Sequence, residues 1–297
     1  MNRLAALSLA LTAPLLASPA FAQRDFSEVE IRTEEIAPGV AVLFGAGGNI
    51  AVGHGEDATV LIDDQFAPLS DKISIAIAAL GATPVKYVVN THWHGDHTGG
   101  NENFGKTGAT IFAHDNVRVR MSTEQVRGDR VTPPSPKEAL PIVTYGQGLR
   151  FHLNGDTINL MFLGGGHTDG DSVVFWDEKN IVHMGDLYFK IPGYPFIDVS
   201  SGGNVYAAMQ SLDLVIAMID DETKVIPGHG PMSNKAELVA YRAMIGEAVR
   251  RVEALHAQGL TLDQAVAAQP LEGIDRGEGG FIGPDAFVTA IWNSIDD

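Results

Sequence analysis

Thr91-His92-Trp93-His94-Gly95-Asp96-His97 follows directly on the apolar run Tyr87-Val88-Val89. Four strong metal ligands, His92, His94, Asp96 and His97, fall within this short stretch. On extended backbone, residues two apart point the same way, so His92 and His94 are placed to grip one ion from a strand end. Gly95 lets the chain turn, which frees Asp96 and His97 to face a second point. A zinc motif carried on a helix needs histidines four apart with a glutamate between them, and that spacing is absent.

Working outward, three more candidate ligands sit where an apolar run meets glycine. His167 lies in Leu163-Gly164-Gly165-Gly166-His167, Asp186 in Val182-His183-Met184-Gly185-Asp186, and His229 in Pro227-Gly228-His229-Gly230. Flexible backbone beyond a strand end is where an α/β protein lifts its functional side chains. Histidines and carboxylates, in a chain with no cysteine, suit zinc held through nitrogen and oxygen; manganese or iron fits the same set less often.

Strands are expected at 40–44, 49–52 and 58–62, with Gly45-Ala46-Gly47-Gly48 as a hairpin turn. That turn lacks the Lys-Ser/Thr of a phosphate-binding loop. Residues 72–80 read as a helix and 85–89 as the strand feeding the ligand loop. Asp115 is placed to cap a helix through Gln125, with Thr132-Pro133-Pro134-Ser135-Pro136 as a stiff connection after it. Further strands are expected at 149–153, 157–163, 172–176 and 181–184. Leu238, Tyr241, Ile245, Val249, Val252 and Leu255 recur at three and four, the stripe of a packed helix. Pro284 opens another, carrying Phe287, Ile291 and Trp292 to the core.

Met1-Asn2-Arg3 is a short positive start, Leu4 to Leu16 is apolar, and Ala20-Phe21-Ala22 precedes Gln23, the pattern of a cleavable export signal over residues 1–22. The apolar run is too short to span a hydrocarbon core of ~30 Å. Residues 23–297 are long enough for one large α/β domain, and no linker or repeat divides them. The expectation is an exported, periplasmic protein. Its formal charge of −17, from 37 acidic and 20 basic residues, speaks against a nucleic-acid enzyme, whose phosphate contacts need a basic stripe.

Taken in order, these motifs resemble the metallo-β-lactamase superfamily from about Val40 to Pro231. Its His-x-His-x-Asp-His signature is matched by His92, His94, Asp96 and His97. Its later histidine, bridging aspartate and final histidine are matched by His167, Asp186 and His229. Its early strand-end aspartate is matched by Asp63 in Val60-Leu61-Ile62-Asp63. The resemblance implies an α/β fold, a four-layer αββα sandwich, with two zinc ions per chain at one edge. One zinc would take His92, His94 and His167, the other Asp96, His97 and His229, with Asp186 between them. Asp63 is expected behind the ligands, fixing the histidine loop by hydrogen bonds, although an ordinary strand-end turn is its other reading. Two zincs ~3.5–4 Å apart can share a hydroxide at neutral pH and polarise a carbonyl for its attack. Asp96 would bind metal and orient the nucleophile or relay a proton.

The run from Gly165 to Trp176 resembles the corresponding stretch of true metallo-β-lactamases, so β-lactam amide hydrolysis is the first expectation. Two positions depart from the main subclass of those enzymes. Asp186 stands where that subclass has cysteine, as in lactonases and thioester hydrolases of the glyoxalase II type, and His97 stands where it has arginine. Another subclass carries the histidine but generally has serine at the later position. A lactone or thioester hydrolase is therefore the second expectation. A metal-binding accessory or maturation factor without turnover is the third, and the full ligand set argues against it.

Lys190 lies near the position of the main subclass's carboxylate-binding lysine, and Asn204 near its substrate asparagine. A surface lysine and a turn asparagine are the alternatives. Tyr188, Phe189, Tyr194 and Phe196 form either an apolar wall for a small-molecule substrate or plain packing. His54, His114, His152, His183 and His256 have no companion motif and read as structural.

Overall fold

The computed structural model describes residues 25–127, 130–277 and 279–295. The expected export signal lies outside these. The first sheet is built from β1 (Arg32–Ala37), β2 (Val40–Phe44), β3 (Ile50–Gly53), β4 (Thr59–Ile62), β5 (Val85–Val89) and β6 (Thr110–His114). A separate hairpin follows, β7 (Gln125–Arg127) and β8 (Arg130–Thr132), and then β9 (Val143–Tyr145) completes the first sheet beside β6. The second sheet runs β10 (Gly148–Leu153), β11 (Asp156–Phe162), β12 (Ser172–Trp176), β13 (Ile181–His183) and β14 (Lys224–Ile226) in sequence order. Strands β4, β5, β6 and β9 are parallel neighbours, as are β13 and β14.

Helices α1 (Ser70–Ala79), α2 (Gly95–Thr98), α3 (Asn101–Lys106) and α4 (Asp115–Ser122) belong to the first half, and α5 (Val205–Met218), α6 (Lys235–Ala257), α7 (Leu262–Ala267) and α8 (Pro284–Ile295) to the second. Period-two alternation sorts the strand residues into layers. Val60 and Ile62 of β4 face Leu160, Val174 and Trp176 of the second sheet. Leu61, between them, points the other way, to Ile73 and Ile77 of α1 and Phe104 of α3. On the far side, Val173 and Val182 meet Leu212, Tyr241, Ile245 and Phe287 of α5, α6 and α8. The layers are helix, sheet, sheet, helix, the expected αββα sandwich. No helix among the described residues is long and apolar enough to cross a membrane.

The two tail helices carry the apolar stripes read from the sequence, and Pro284 opens α8. The helix read from Asp115 to Gln125 needs correction. It ends at Ser122, and its cap is His114, whose Nδ1 accepts the Asn116 N–H at 3.2 Å. Thr123 is extended, and Gln125 begins the β7–β8 hairpin, where Val126 pairs with Val131. Branched residues favour the pleated backbone there. The proline-rich segment therefore follows a strand, and the Ser135 N–H returns to the Met121 carbonyl at 2.8 Å.

Candidate metal centre

The site lies beyond the C-terminal ends of β4, β5, β13 and β14 and in the turn after β11. Asp63 ends β4 with φ of 63°, a left-handed conformation that a short polar side chain tolerates. Its carboxylate is fully buried and takes three donors. Oδ1 accepts the Thr91 N–H at 2.7 Å; Oδ2 accepts the Thr91 hydroxyl at 2.8 Å and His97 Nδ1–H at 2.7 Å. With its own proton given to Asp63, the Thr91 hydroxyl accepts from His92 Nδ1–H at 3.0 Å. One carboxylate thus orients two histidines through their Nδ1 sides and turns Nε2 of each toward Asp186.

The other imidazoles are fixed in the same manner. His167 Nδ1–H donates to the Phe196 carbonyl at 2.6 Å, so Nε2 is bare. His94 Nε2–H donates to Asp198 Oδ2 at 2.8 Å, so Nδ1 is bare. Burial would raise the Asp198 carboxyl, but hydrogen bonds from His94, Ser200 and Ser201 outweigh it and hold the group below the ordinary carboxylate range. Burial drives the His167 pKa down to about 4, with His94 adding to it, and it takes His92 well below its usual value. Neutral imidazoles with free lone pairs are what metal ions require.

Asp186 stands between two groups of these ligands. Its Oδ2 lies 3.8 Å from His92 Nε2 and 3.6 Å from His167 Nε2. Its Oδ1 lies 3.1 Å from His97 Nε2 and 3.4 Å from His229 Nε2. Asp96 completes the second group, its Oδ2 3.4 Å from His229 Nε2. His92, His94, His167 and Asp186 offer ligand atoms all within 4.8 Å of one another, as do Asp96, His97 and His229. Burial alone would raise the Asp186 carboxyl, but the facing His97 and His229 rings hold it well below its ordinary value. Conversely, burial works against a proton on His97, and the Asp186, Asp63 and Asp96 carboxylates overcome it.

This arrangement makes sense only around cations. Bare nitrogens of His94 and His167 face each other at 2.8 Å, with the N–H of each ring committed elsewhere. His92 Nε2 and Asp186 Oδ1 are buried without a hydrogen-bond partner. An orphaned buried acceptor costs ~1–3 kcal/mol, and opposed lone pairs cost more. Metal ions relieve both, so the residues fit the metal that the sequence pattern implies.

Glycines bring the backbone close to these ligands. A Cβ on Gly48, in the β2–β3 turn, would sit 2.1 Å from the His97 ring, and one on Gly228 would sit 2.1 Å from Asp186 Oδ1. Gly48→Ala is expected to displace His97 from Asp63, weaken metal binding about 10–100-fold and destabilise by about 1–3 kcal/mol through overpacking. Zinc titration against a competing chelator, beside a thermal melt, measures both; unchanged affinity would mean that the turn yields instead of the ring.

His94, Asp96, Asp186 and His229 form the floor of a cleft of about 660 Å³ walled by Phe66, Trp93, Phe189, Ile191, Phe196 and Phe281. Of the four loop aromatics, Phe189 and Phe196 line it, stacked on His229 and His94. Tyr188 and Tyr194 are buried instead, against Tyr241 and Phe287. The two substrate contacts read from the sequence are engaged elsewhere, and neither lines the cleft. Lys190 Nζ donates to Glu237 at 2.6 Å and to the Met232 carbonyl at 2.8 Å. Asn204 caps α5 by accepting the Tyr206 and Ala207 N–H groups.

Sequence reasoning missed Asp198, Arg127 and Phe281, which carry no motif and reach the site only by folding. His183, read as structural, is buried behind Asp186. It donates from Nε2 to the Asn49 carbonyl at 3.0 Å and accepts the Gly185 N–H at 3.1 Å.

The family model of the metallo-beta-lactamase superfamily matches residues 42–229, a span that contains every ligand above. The chain belongs to that superfamily. It is 27% identical over 169 residues to a metallo-beta-lactamase type 2 of Bacteroides fragilis, covering 56% of this chain and 61% of that enzyme, less than two thirds of its length. It is 26% identical over 223 residues to a hydroxyacylglutathione hydrolase of Methylococcus capsulatus, covering 73% of this chain and 76% of the relative. Among solved structures, a metallo-beta-lactamase from Pontibacter korlensis superposes with a TM-score of 0.60 at 19% identity, over 73% of this chain and 99% of that one. An inverting sec-alkylsulfatase from a Pseudomonas species gives 0.68 at 17% identity, over 89% and 50%. These two likenesses concern the fold.

Proposed function

We infer that the chain is an exported two-zinc hydrolase that opens the amide of β-lactams. Asp186, shared between two ligand groups, carries the two-zinc part of this reading, and the compact, apolar-walled cleft above it carries the choice of a β-lactam. His92, His94 and His167 would hold one ion, Asp96, His97 and His229 the other, and Asp186 would touch both. Zinc bound there supplies Lewis acidity toward a carbonyl and lowers the pKa of water toward neutrality.

The chain's own residues do the rest. Asp63 and Asp198 keep the imidazoles oriented, so no reorganisation is needed when charge develops. Asp96, whose side chain is 31% exposed at the cleft floor, is placed to accept the proton of an attacking water and pass it to the leaving nitrogen. Phe66, Trp93, Phe189 and Phe196 receive the apolar body of the substrate and exclude bulk water.

A second reading, thioester or lactone hydrolysis, is favoured by the same Asp186, because its extra negative charge lowers the net positive charge of the centre. The cleft speaks for the compact substrate. Arg120 is spent on Asp169, at 2.8 and 2.7 Å, which leaves few cations for the two carboxylates of a glutathione conjugate.

Zinc-loaded protein should open a chromogenic cephalosporin at a modest rate, lose that activity on chelation, and recover it with about two equivalents of zinc per chain. Parallel assays with a homoserine lactone and a glutathione thioester separate the readings. Ready turnover of either, with no penicillin, cephalosporin or carbapenem opened, would remove the β-lactam assignment.

A further inference from the structure

Arg127 ends β7 at the mouth of the cleft, its side chain 43% exposed. Its guanidinium carbon lies 5.7 Å from the centroid of Phe196, and the same ring stacks on His94 at 5.7 Å and 17°. A cation is therefore held one aromatic ring away from a ligand of the metal floor.

Its only ion-pair partner among the described residues is Asp198, 3.5 Å from Nη1. That contact is at the outer limit of a hydrogen bond. The Asp198 oxygen involved already accepts His94 Nε2–H at 2.8 Å and the Ser201 hydroxyl at 2.7 Å. A guanidinium carries five N–H donors in a planar fork matched to a carboxylate. Most of that fork is free to meet a ligand. Arg120, the other arginine of the lining, has Nε and Nη2 on Asp169 and Nη1 on Gln125.

The surroundings strengthen an anion contact. Phe281, 76% exposed, packs edge-on against Phe196, and Val126, 60% exposed, precedes Arg127 on the same strand. A substrate seated between these apolar groups screens the guanidinium from water, where a charge-assisted hydrogen bond gains strength.

We propose that Arg127 determines specificity by binding a carboxylate on the substrate, set within a ring or two of the carbonyl that is cut. The proposal rests on the hydrolase reading and narrows it to small carbonyl compounds whose anionic group is close to the scissile bond. It disfavours thioesters whose carboxylates lie at the far end of a flexible chain.

The test compares zinc-loaded wild type, Arg127→Ala and Arg127→Lys on a matched pair, a β-lactam with a free carboxylate and its methyl ester. In Arg127→Ala the carboxylate-to-ester ratio of kcat/KM should fall roughly 10–100-fold, chiefly through KM. Arg127→Lys should recover part of it, since an ammonium keeps the charge and loses the fork. An Arg127 that acted only through Asp198 on His94 would lower both substrates alike and leave the ratio unchanged, which overturns the proposal. If wild type opens neither compound, the β-lactam reading has failed. The same pair is then titrated by tryptophan fluorescence: a wild-type preference for the carboxylate that Arg127→Ala abolishes supports the proposal, and equal affinities in both proteins refute it.

Discussion

If the centre holds two zinc ions as proposed, Asp186→Ala should abolish most hydrolysis and release one of them in the same step. Each Asp186 oxygen faces a different ligand group, Oδ2 toward His92 and His167, Oδ1 toward His97 and His229. Without it, Asp96, His97 and His229 remain as three ligands on a site open to the cleft, and the histidines lose the anion that balances bound cations. Metal assistance contributes several kcal/mol to stabilisation of transition-state charge, so the loss in kcat/KM should be on the order of 10³-fold. Elemental analysis after dialysis gives the companion number. A variant that kept both ions and its activity would reduce Asp186 to a turn residue and remove the shared-carboxylate reading.

The second large effect is expected at Asp63, whose carboxylate is taken up by Thr91 and His97 behind the ligand groups. Asp63→Asn keeps the shape and tolerates the positive φ, but it cannot accept from Thr91 N–H, the Thr91 hydroxyl and His97 Nδ1–H at once. His97 and His92 then lose their enforced orientation, and metal affinity should drop about 10–100-fold. Asp63→Ala goes further. It leaves three buried donors without an acceptor, at about 1–3 kcal/mol each, and adds strain at a φ of 63°. Against a total stability of ~5–15 kcal/mol, that variant should melt far below wild type or fail to fold. Asp63→Asn with wild-type zinc affinity would show that the histidines are oriented by the metal alone.

Most of the architecture was legible because its signals are local. The apolar run Val60-Leu61-Ile62 marked β4 as a strand, which the structure buries on both faces, and the stripe from Leu238 to Val252 placed α6. The exception, the run after Asp115, shows where local reading stops. Arg118, Val119 and Arg120 continue a helical pattern, yet a two-stranded hairpin intervenes because Val126 and Val131 pair with each other and Ser135 is tied back to Met121. His114 likewise outcompeted Asp115 as the cap through its side-chain geometry, which no spacing rule discloses.

The sequence by itself determined which side chains could bind metal, because the ligands sit in glycine-containing turns after β5, β11, β13 and β14, and folding need only bring those ends to one edge. Tertiary structure decided how they act together. The Asp198 contact that orients His94 spans 104 residues, and Arg127 reaches the same carboxylate across 71. Lys190 was withdrawn from the cleft by Glu237, 47 residues later in the chain. Hydrogen bonds and ion pairs of a few ångströms between such distant segments exist only once the two sheets have packed, and no local pattern encodes them.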